Sequence, residues 1–405
     1  MSSIKLKGST SGDVTITVPA QAGTNTVTIP AVTGTLPLSN LDHVTNRPNA
    51  KPLIINGDMQ VAQKGTSTTG ITSSTQVYTT DTWRFNVNAL GTWTVTQADD
   101  APTGSGFQHS WKADCTTADA SPSAADYVLY QHRFEGQDVQ LFKKGTSSAE
   151  KMTVSFWVKS AKTGTYILEI DDNDNSRNIN QAYTISSADT WEKKVLSFDA
   201  DTTGAFDNDN AHSMRLVWWL AAGTDFTSGT LATSWASTTN ANRAVGQVNL
   251  GDSTSNDWYI TGVQLEVGEY TADTIPPFQH ESFGDSLLRC QRYLPAYIGT
   301  TSNFRLPGAG IAGSTTLVFL TLNHPVTTRV KPTGVTVSDA GHWSGGVDGI
   351  LANQAMGSVA YGLSSTFATR LTWAVASGTP FTARDPAYIE GTNTSAVLYL
   401  TGCEL

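Results

Sequence analysis

The chain has 405 residues, a net charge of −10 at pH 7 and only 15% charged residues, so hydroxyl and amide groups must supply most of its polar surface. The acidic balance and the lack of any basic run argue against a nucleic-acid-binding protein, because a phosphate backbone would be repelled. No apolar run approaches the roughly 18 residues of a membrane-spanning helix, which argues against membrane insertion.

The first residues, MSSIKLKGS, contain no apolar segment of a secretory signal, so we expect synthesis in a cytoplasm. The three cysteines, Cys115, Cys290 and Cys403, are widely spaced and form no CxxC pair. A disulfide framework or a zinc site is therefore not expected. The cysteines are predicted to be small buried apolar residues.

Residues 1–50 form a Thr- and Pro-rich arm that ends in a linker-like run, NRPNAKP, at residues 46–52. The arm contains two near-copies of a short strand pattern, VTITVP at residues 14–19 and VTIP at residues 27–30. Two isolated strands bury too little apolar area to be stable alone, and their prolines interrupt a sheet ladder. We therefore predict that the arm is ordered by other chains and serves assembly or docking; a flexible linker is the alternative. Its apolar strand positions are Val14, Ile16, Val18, Val27 and Ile29.

Residues 53–280 are predicted to form a large β domain. Apolar and aromatic residues alternate with polar ones along many short segments, and clusters of turn residues separate these segments. This pattern favours an all-β sandwich or barrel. The clearest strand patterns lie at residues 151–158, 165–170, 213–220 and 257–265.

One stretch departs from the alternation. Residues 281–294, ESFGDSLLRCQRYL, place Phe283, Leu287, Cys290 and Leu294 at steps of four, three and four, which predicts a short amphipathic helix. The helix is either a connector packed on a sheet or a contact between subunits, in which case Phe283, Leu287 and Leu294 are assembly residues. Residues 295–405 follow as a second β domain, with strand patterns at residues 315–320 and 395–400.

The loop DDNDN contains three carboxylates, Asp171, Asp172 and Asp174. Alternating Asp and Asn resembles a calcium loop, because Ca²⁺ takes several oxygen ligands from a short turn. The distal Glu of an EF-hand is lacking, so that motif is rejected. The sequence leaves two interpretations: a structural Ca²⁺ on these three residues, or Asx turns without a metal.

Tryptophan is the second group of candidate residues. Those in strand patterns are predicted to lie mostly in the core: Trp83, Trp157, Trp191, Trp218, Trp219 and Trp258. An exposed aromatic ring beside amides and carboxylates is what a sugar-binding surface needs. His342 and Trp343, in the loop DAGHWSGG, are the first choice, followed by Trp235 and Trp111 near turns. A tryptophan tucked under its own loop is the alternative.

The sequence contains no GxSxG, HExxH or phosphate-binding glycine loop followed by Lys-Ser/Thr. We therefore expect a protein that is not an enzyme and needs no cofactor apart from the Ca²⁺ considered above.

The arm sequence, GSTSGDVTITVPAQAGTNTVTIPAVTGTL from residue 8, resembles the N-terminal segment of many bacteriophage tail-fibre and tail-adaptor-like proteins. The middle region, from LIINGDMQ at residue 53 through SFWVKSAKTGTYILEI to PPFQHESFGDSLLRCQRY, resembles a module of tail-fibre proteins in marine phages and prophages. It is also similar to jelly-roll carbohydrate-binding modules, which end on a strand like VQLEV at residues 263–267. Met59 and Gln60 stand where those modules have an aromatic residue and an acid that often helps to hold calcium.

The resemblance implies a structural virion protein, a homotrimeric tail fibre. The arm, residues 1–50, would dock on the phage tail or on adaptor proteins, and the jelly roll, residues 53–280, would form the body. The connector helix, residues 281–294, would lead to residues 295–405, a second β-sandwich that acts as the distal tip. The tip would bind a host surface glycan or outer-membrane receptor. The alternatives are a tail-associated polysaccharide depolymerase and a head-decorating virion fibre.

Overall fold

The computed structural model describes residues 3–7, 13–17, 51–73, 77–299, 301, 303–347 and 351–405. Near the N-terminus, β1 (Ser3–Lys7) and β2 (Asp13–Thr17) pair in an antiparallel hairpin that places Ile4 opposite Ile16. The predicted strand from residue 14 is therefore present in β2. Val18, Val27 and Ile29 lie outside the described residues.

Ala50–Leu405 form a separate compact unit. The described residues of its first part form twelve strands, as the alternating sequence predicts: β3 Ser67–Ile71, β4 Trp83–Asn88, β5 Thr92–Ala98, β6 Ser110–Thr117, β7 Tyr127–Glu135, β8 Met152–Ser160, β9 Gly164–Asp172, β10 Arg177–Ile185, β11 Glu192–Phe198, β12 His212–Ala222, β13 Ala236–Ser237 and β14 Asp257–Val267. The short helices of this part are the 3₁₀ turns Gly136–Asp138, Gln140–Phe142, Asn240–Asn242 and Leu250–Asp252 and the four-residue α1, Thr224–Thr227.

These strands form two six-stranded antiparallel sheets of a jelly-roll-like sandwich. The front sheet has the order β13-β10-β9-β12-β7-β4, and the back sheet has the order β11-β8-β14-β6-β5-β3. The inner faces of both sheets share one apolar core that is rich in aromatic rings. At its centre the rings of Trp111 and Tyr130 stack with their centroids 3.9 Å apart, and Trp83 stacks on the same tyrosine at 5.1 Å. Such pairs add about 0.5–1.5 kcal/mol each beyond the burial of their apolar area.

A nine-residue helix, α2 (Phe283–Gln291), follows the jelly roll and confirms the predicted helix. Ser282 caps it, because its hydroxyl accepts a hydrogen bond from the Asp285 amide at 3.2 Å. Leu287 packs against a small apolar cluster that contains Cys290, and Leu294 is 4% exposed within the chain. Leu294 is thus not available for the predicted contact between subunits. Phe283 is 54% exposed, because it lies in the first turn and outside the buried stripe.

The last part of the chain contains ten strands: β15 Ala296–Ile298, β16 Phe304–Arg305, β17 Gly308–Ala312, β18 Leu317–Asn323, β19 Gly334–Val337, β20 Trp343–Val347, β21 Leu351–Ser364, β22 Ala368–Val375, β23 Pro386–Gly391 and β24 Val397–Thr401. One 3₁₀ turn, Ala340–His342, precedes β20. The sheet β15-β24-β19 accompanies a larger sheet, β16-β23-β17-β18-β22-β21-β20, in which β20 also pairs with β23. Because of this pairing, six strands form a closed ring in the order β23-β17-β18-β22-β21-β20. The ring surrounds a core that includes Trp343 and Trp373.

The protein is therefore all-β, as predicted. Within the part of the chain that the structure describes, no helix is long and apolar enough to cross a membrane. The three cysteines are free and buried, as expected. Burial raises the pKa of both Cys115 and Cys403 to about 11.

Buried polar contacts join the jelly roll to the last part of the chain. The Glu135 carboxylate, which is fully buried, accepts hydrogen bonds from the Arg292 guanidinium and the Tyr293 hydroxyl, each at 2.7 Å. The Tyr399 hydroxyl donates to the main-chain oxygen of Gln63 at 2.8 Å. The Gln63 amide nitrogen also donates to the buried Asp81 carboxylate. These contacts hold the two parts in one arrangement.

Asp81 makes folding dependent on pH. Burial raises its pKa from 3.8 to about 6, so the fold favours the protonated carboxyl. The stabilisation from this group is complete below pH 3.8 and is lost as the pH rises through about 6. We expect Asp81→Asn to raise the free energy of unfolding at pH 7.5, by up to about 3 kcal/mol, and to change it little at pH 4. Urea unfolding at both pH values tests this, with the exposed Asp273→Asn as control. The same gain at both pH values would contradict it.

Candidate functional site

The outer face of the front sheet carries a band of polar side chains from neighbouring strands. Successive residues of a strand point to opposite sides of a sheet. His132 of β7 is buried in the sandwich, so Gln131 and Arg133 point outward. The same alternation turns Arg84 of β4 and Arg215 of β12 outward, next to buried aromatic and aliphatic neighbours.

The strand register brings these side chains together. Arg84 lies opposite Gln131, Arg133 lies opposite Arg215, and Arg215 lies opposite Asp171. Like charges directly opposite each other destabilise an antiparallel pair. The Arg133–Arg215 pair therefore opposes stability, and such a departure from good sheet composition is typical of a functional site.

Hydrogen bonds fix most of the band in place. Arg133 Nε and Arg215 Nη1 both donate to Gln131 Oε1, at 3.3 and 3.5 Å, and Gln131 Nε2 donates to Asn86 Oδ1 at 2.8 Å. Arg215 Nε donates to Asp171 Oδ2 at 2.7 Å. One amide oxygen thus serves two guanidinium groups, and only one of the two has a carboxylate partner at this distance.

Two of the three arginines open onto a groove of about 380 Å³. Its lining residues, which we call the basic groove, are Lys64, Tyr78, Arg84, Arg133, Gly402, Glu404 and Leu405. The Lys64 ammonium pairs with the Glu404 carboxylate at 3.0 Å. Among the described residues, no carboxylate oxygen lies within 4.0 Å of a guanidinium nitrogen of Arg84 or Arg133. The groove therefore keeps an excess of positive charge on a chain whose net charge is −10.

Burial and the excess of positive charge both lower the pKa values of side chains in and beside the groove. Burial, followed by the nearby guanidinium groups of Arg84 and Arg215, lowers the pKa of Arg133 to about 10. Burial also lowers the pKa of Arg84, with Arg215 adding to the effect. His212 is affected too, since burial and then the charges of Arg133 and Arg215 lower its pKa to about 3. The groove thus disfavours any further positive charge.

The arrangement suits the recognition of oxygen atoms on a ligand. Each guanidinium presents several N–H donors in a rigid plane, which matches carboxylates and sulfates and also binds hydroxyls. The donors of Arg84 and Arg133 start from adjacent sheet strands, so the backbone fixes their spacing before a ligand arrives. Within the described residues, no group of three or more His, Cys, Asp or Glu side chains is placed to hold a metal ion.

A second surface, on the outer face of the back sheet, alternates aromatic and basic side chains. Lys159 Nζ lies 4.2 Å from the ring centroid of Tyr259 and 5.5 Å from that of Trp191, and Lys112 Nζ lies 5.4 Å from the Tyr259 centroid. Trp191 Nε1 donates to Asp100, which also accepts from Lys159. These side chains satisfy one another and place lysine ammonium groups against the ring faces. The surface therefore offers a sugar less open ring area than its composition suggests.

The structure does not bring the four predicted sugar-binding residues together. Trp111 and Trp235 belong to the jelly roll, whereas His342 and Trp343 belong to the last part of the chain. Trp111 is 1% exposed and Trp343 is fully buried, so the prediction that their rings stack on a sugar is corrected here. Both rings fill apolar cores between sheets.

Trp235 and His342 are half-buried and engaged by other groups. Trp235 Nε1 donates to the Asp199 carbonyl oxygen at 2.7 Å, and Lys144 Nζ lies 5.1 Å from its ring centroid. His342 Nδ1 lies 3.3 Å from the Ser338 hydroxyl. Neither residue lines the basic groove.

The predicted calcium ligands do not converge either. Asp171 and Asp172 are successive residues of β9, so they point to opposite faces of the sheet. Asp171 pairs with Arg215, and Asp172 accepts from the buried Lys144 ammonium at 2.5 Å. Asp174 accepts from the Asp207 amide at 2.9 Å. The calcium prediction is therefore wrong at these residues, because β9 extends into the segment read as a loop.

The sequence analysis missed the arginine cluster. Each arginine is a single charged residue among apolar ones, as in WRFNVN of β4 and HSMRLVWWLAA of β12. That pattern marks an outward position, but it does not tell which strands are neighbours. Two tryptophans predicted as core, Trp157 of β8 and Trp191 just before β11, are only half-buried.

Removing a cation from the cluster tests its electrostatics. We expect Arg133→Gln to leave the free energy of unfolding unchanged or to raise it by about 0.5 kcal/mol, because it relieves repulsion across β7 and β12. The matched variant Arg215→Gln should lower it by about 1–3 kcal/mol, because buried Asp171 loses its partner. Urea unfolding at pH 7 measures both, and equal destabilisation by the two variants would contradict this account.

No protein-family model and no curated protein matches the sequence. Three solved structures illustrate what the chain is similar to in shape. The enzymatically active domain of tailspike protein 4 from bacteriophage CBA120 is 14% identical with a TM-score of 0.28, and the match covers 53% of this chain and 21% of that one. A putative sugar-binding protein from Bacteroides thetaiotaomicron is 12% identical with a TM-score of 0.29, and the match covers 54% and 100% of the two chains.

The third is a family 11 carbohydrate-binding module of a cellulosomal cellulase from Clostridium thermocellum. It is 9% identical with a TM-score of 0.25, and the match covers 50% of this chain and 99% of the module. The chain thus spans about a fifth of the tailspike domain and nearly the whole of the two smaller proteins. At these identities and scores, none of the three assigns a function to this chain.

Proposed function

We propose that this chain is a virion attachment protein of the tail-fibre type that binds a host-surface glycan in the basic groove. The observation that carries the proposal is the meeting of planar hydrogen-bonding side chains at one open groove. Arg84 and Arg133 line it, and the amide pair of Gln131 and Asn86 lies beside them. A saccharide presents many oxygens, and the two guanidinium groups offer donors for them.

The groove is built on rigid elements. β7 and β12 are inner strands, and β4 is the edge strand paired with β7, in a sheet whose inner face is packed with aromatic rings. A ligand therefore meets side chains that are already ordered, which lowers the entropy that binding must remove. The half-buried ring of Tyr78 adds an apolar patch to the lining, next to the Lys64 ammonium, which lies 5.0 Å from the ring centroid.

A single groove of this size supports weak binding, and attachment to a cell needs more. We propose that the chain is a homotrimer held through residues 1–50, which also dock it on the phage tail or on adaptor proteins. Three linked grooves raise the effective concentration of each binding site and convert weak contacts into firm attachment. The Thr- and Pro-rich composition of the arm and its resemblance to tail-fibre N-terminal segments support this role.

Glycan binding can be measured directly. We expect the purified chain to bind a subset of bacterial surface glycans on an array. Arg84→Gln/Arg133→Gln should weaken binding at least about tenfold, because it removes the donors of the groove. The control is Lys143→Gln/Lys151→Gln, which makes the same change in net charge at exposed ion pairs elsewhere. Thermal melts confirm that each variant is folded.

Two outcomes would contradict the glycan proposal: no glycan is bound, or both double variants bind as the parent does. The same incubations distinguish binding from catalysis. A depolymerase would release shortened saccharides into solution, whereas we expect the glycan to remain intact.

The role of the arm is tested by removing it. Because Ala50–Leu405 form a compact unit, a chain that starts at Ala50 should fold. We expect light scattering to give three chains per particle for the full sequence and a monomer for the shortened one. Phage particles that carry only the shortened chain should lack this protein. A monomeric full-length chain, or shortened chains that still join particles, would rule out the assembly role.

A further inference from the structure

We infer that the saccharide bound in the basic groove carries an acidic group, a carboxylate or a sulfate ester, and that Arg84 and Arg133 hold it. This inference rests on the proposed glycan-binding function and names the chemical class of the ligand. Its starting point is a charge imbalance in an otherwise acidic protein.

Arg84 gives the first argument. The residue is only 7% exposed, and its Nε is buried without a hydrogen-bond partner. Burying a charged group without a partner is costly, and folded proteins normally pair such groups. Gln131, its neighbour across the strands, is already engaged by Asn86 and by the other two arginines. An oxyanion in the groove would pair with the Arg84 guanidinium, which has no carboxylate partner among the described residues.

The carboxylates near the groove give the second argument, because other groups already engage them. The Glu404 carboxylate pairs with Lys64 and accepts from the Gly402 amide, both at 3.0 Å. The Asp171 carboxylate pairs with Arg215 and lies 3.9 Å from Arg243. Among the described side chains, no carboxylate is therefore left to neutralise Arg133 or Arg84.

The register gives the third argument. Arg133, which lines the groove, lies directly opposite Arg215 of β12, and an anion bound to Arg133 would relieve the repulsion between them. A neutral saccharide would accept hydrogen bonds from the guanidinium groups but would leave this repulsion in place. Guanidinium groups bind carboxylate and sulfate through paired N–H donors, and such charge-assisted bonds are roughly twice as strong as neutral ones.

The volume of the groove and the net negative charge of the chain limit the ligand to a small acidic unit. A volume of about 380 Å³ lies near the lower end of the range for small-molecule sites. A long polyanion such as a nucleic acid would meet the negative charge of the rest of the surface, since the chain carries −10 overall. One uronic acid or one sulfated sugar within an otherwise neutral glycan fits both conditions.

Matched pairs of saccharides test the inference on the full-length chain. The probes are glucose with glucuronate, galactose with galacturonate, mannose with mannuronate, and galactose with galactose 6-sulfate. Titrations followed by ¹⁵N–¹H NMR report the side-chain Nε–H signals of Arg84 and Arg133. In at least one pair we expect the acidic member to bind about tenfold more tightly than the neutral one. The preference should shrink as NaCl rises from about 50 to 300 mM.

Variants show whether the preference for acidic saccharides depends on Arg84 and Arg133. Arg84→Gln/Arg133→Gln should abolish the difference within a pair, whereas Lys143→Gln/Lys151→Gln should keep it. Arg133→Gln alone should reduce it, which covers the case in which the double variant folds poorly. The uronate and sulfate probes distinguish the two kinds of acidic group. Equal affinity within every pair would overturn the inference, as would a preference that survives in the arginine variant.

The outcomes also separate this inference from the proposed function. Equal binding of neutral and acidic sugars would leave glycan binding standing and remove the acidic ligand. Acetate and inorganic sulfate serve as the reference anions. If they shift the arginine signals as strongly as any saccharide does, the anion site stands and the glycan function falls. If no probe shifts these signals, both fail.

Discussion

The pairing of β7 with β12 is the constraint on which both the core and the groove depend. His132 and Leu216 face each other on the inner side of the front sheet, and Arg133 and Arg215 face each other on the outer side. A slip of one residue in either strand would carry a guanidinium into a core of tryptophan and tyrosine rings. The aromatic packing therefore selects the register, and the register in turn forces two like charges together. The repulsion is tolerated because the burial of the inner face is worth far more.

The groove also depends on the last part of the chain. Lys64 and Tyr78 precede the sheet strand β4, whereas Gly402, Glu404 and Leu405 follow β24, and all five line the same groove. The hydrogen bonds from Arg292 and Tyr293 to the buried Glu135 hold these distant segments together. Residues outside the groove thereby set its shape, and the jelly roll alone would lack one of its walls.

Much of the fold could be predicted from the sequence. The alternation at residues 151–158 and 257–265 corresponds to β8 and β14, and the heptad spacing after residue 281 corresponds to α2. Strand and helix follow from local periodicity, which a single sequence displays. The length of β9 was harder to judge, because Asp171 and Asp172 are turn-favouring residues that the sheet accepts once Arg215 and Lys144 pair with them.

The candidate site could not be predicted from the sequence, and the reason is different. Arg84, Arg133 and Arg215 are far apart in the chain, and only strand order brings them to one place. Burial was equally hard to predict: Trp111 stands near a turn and is buried, while Trp191 stands in a strand pattern and is only half-buried. Both properties arise from long-range pairing, which local periodicity does not contain.

The three enclosed thiols have a consequence for the chemistry of the whole chain. With pKa values near 11 for Cys115 and Cys403, hardly any thiolate forms at neutral pH, and thiolate is the nucleophile that reacts with oxidants and attacks disulfides. Many copies packed side by side would therefore not cross-link through sulfur. A transfer from a reducing to an oxidising medium would leave these three thiols unpaired.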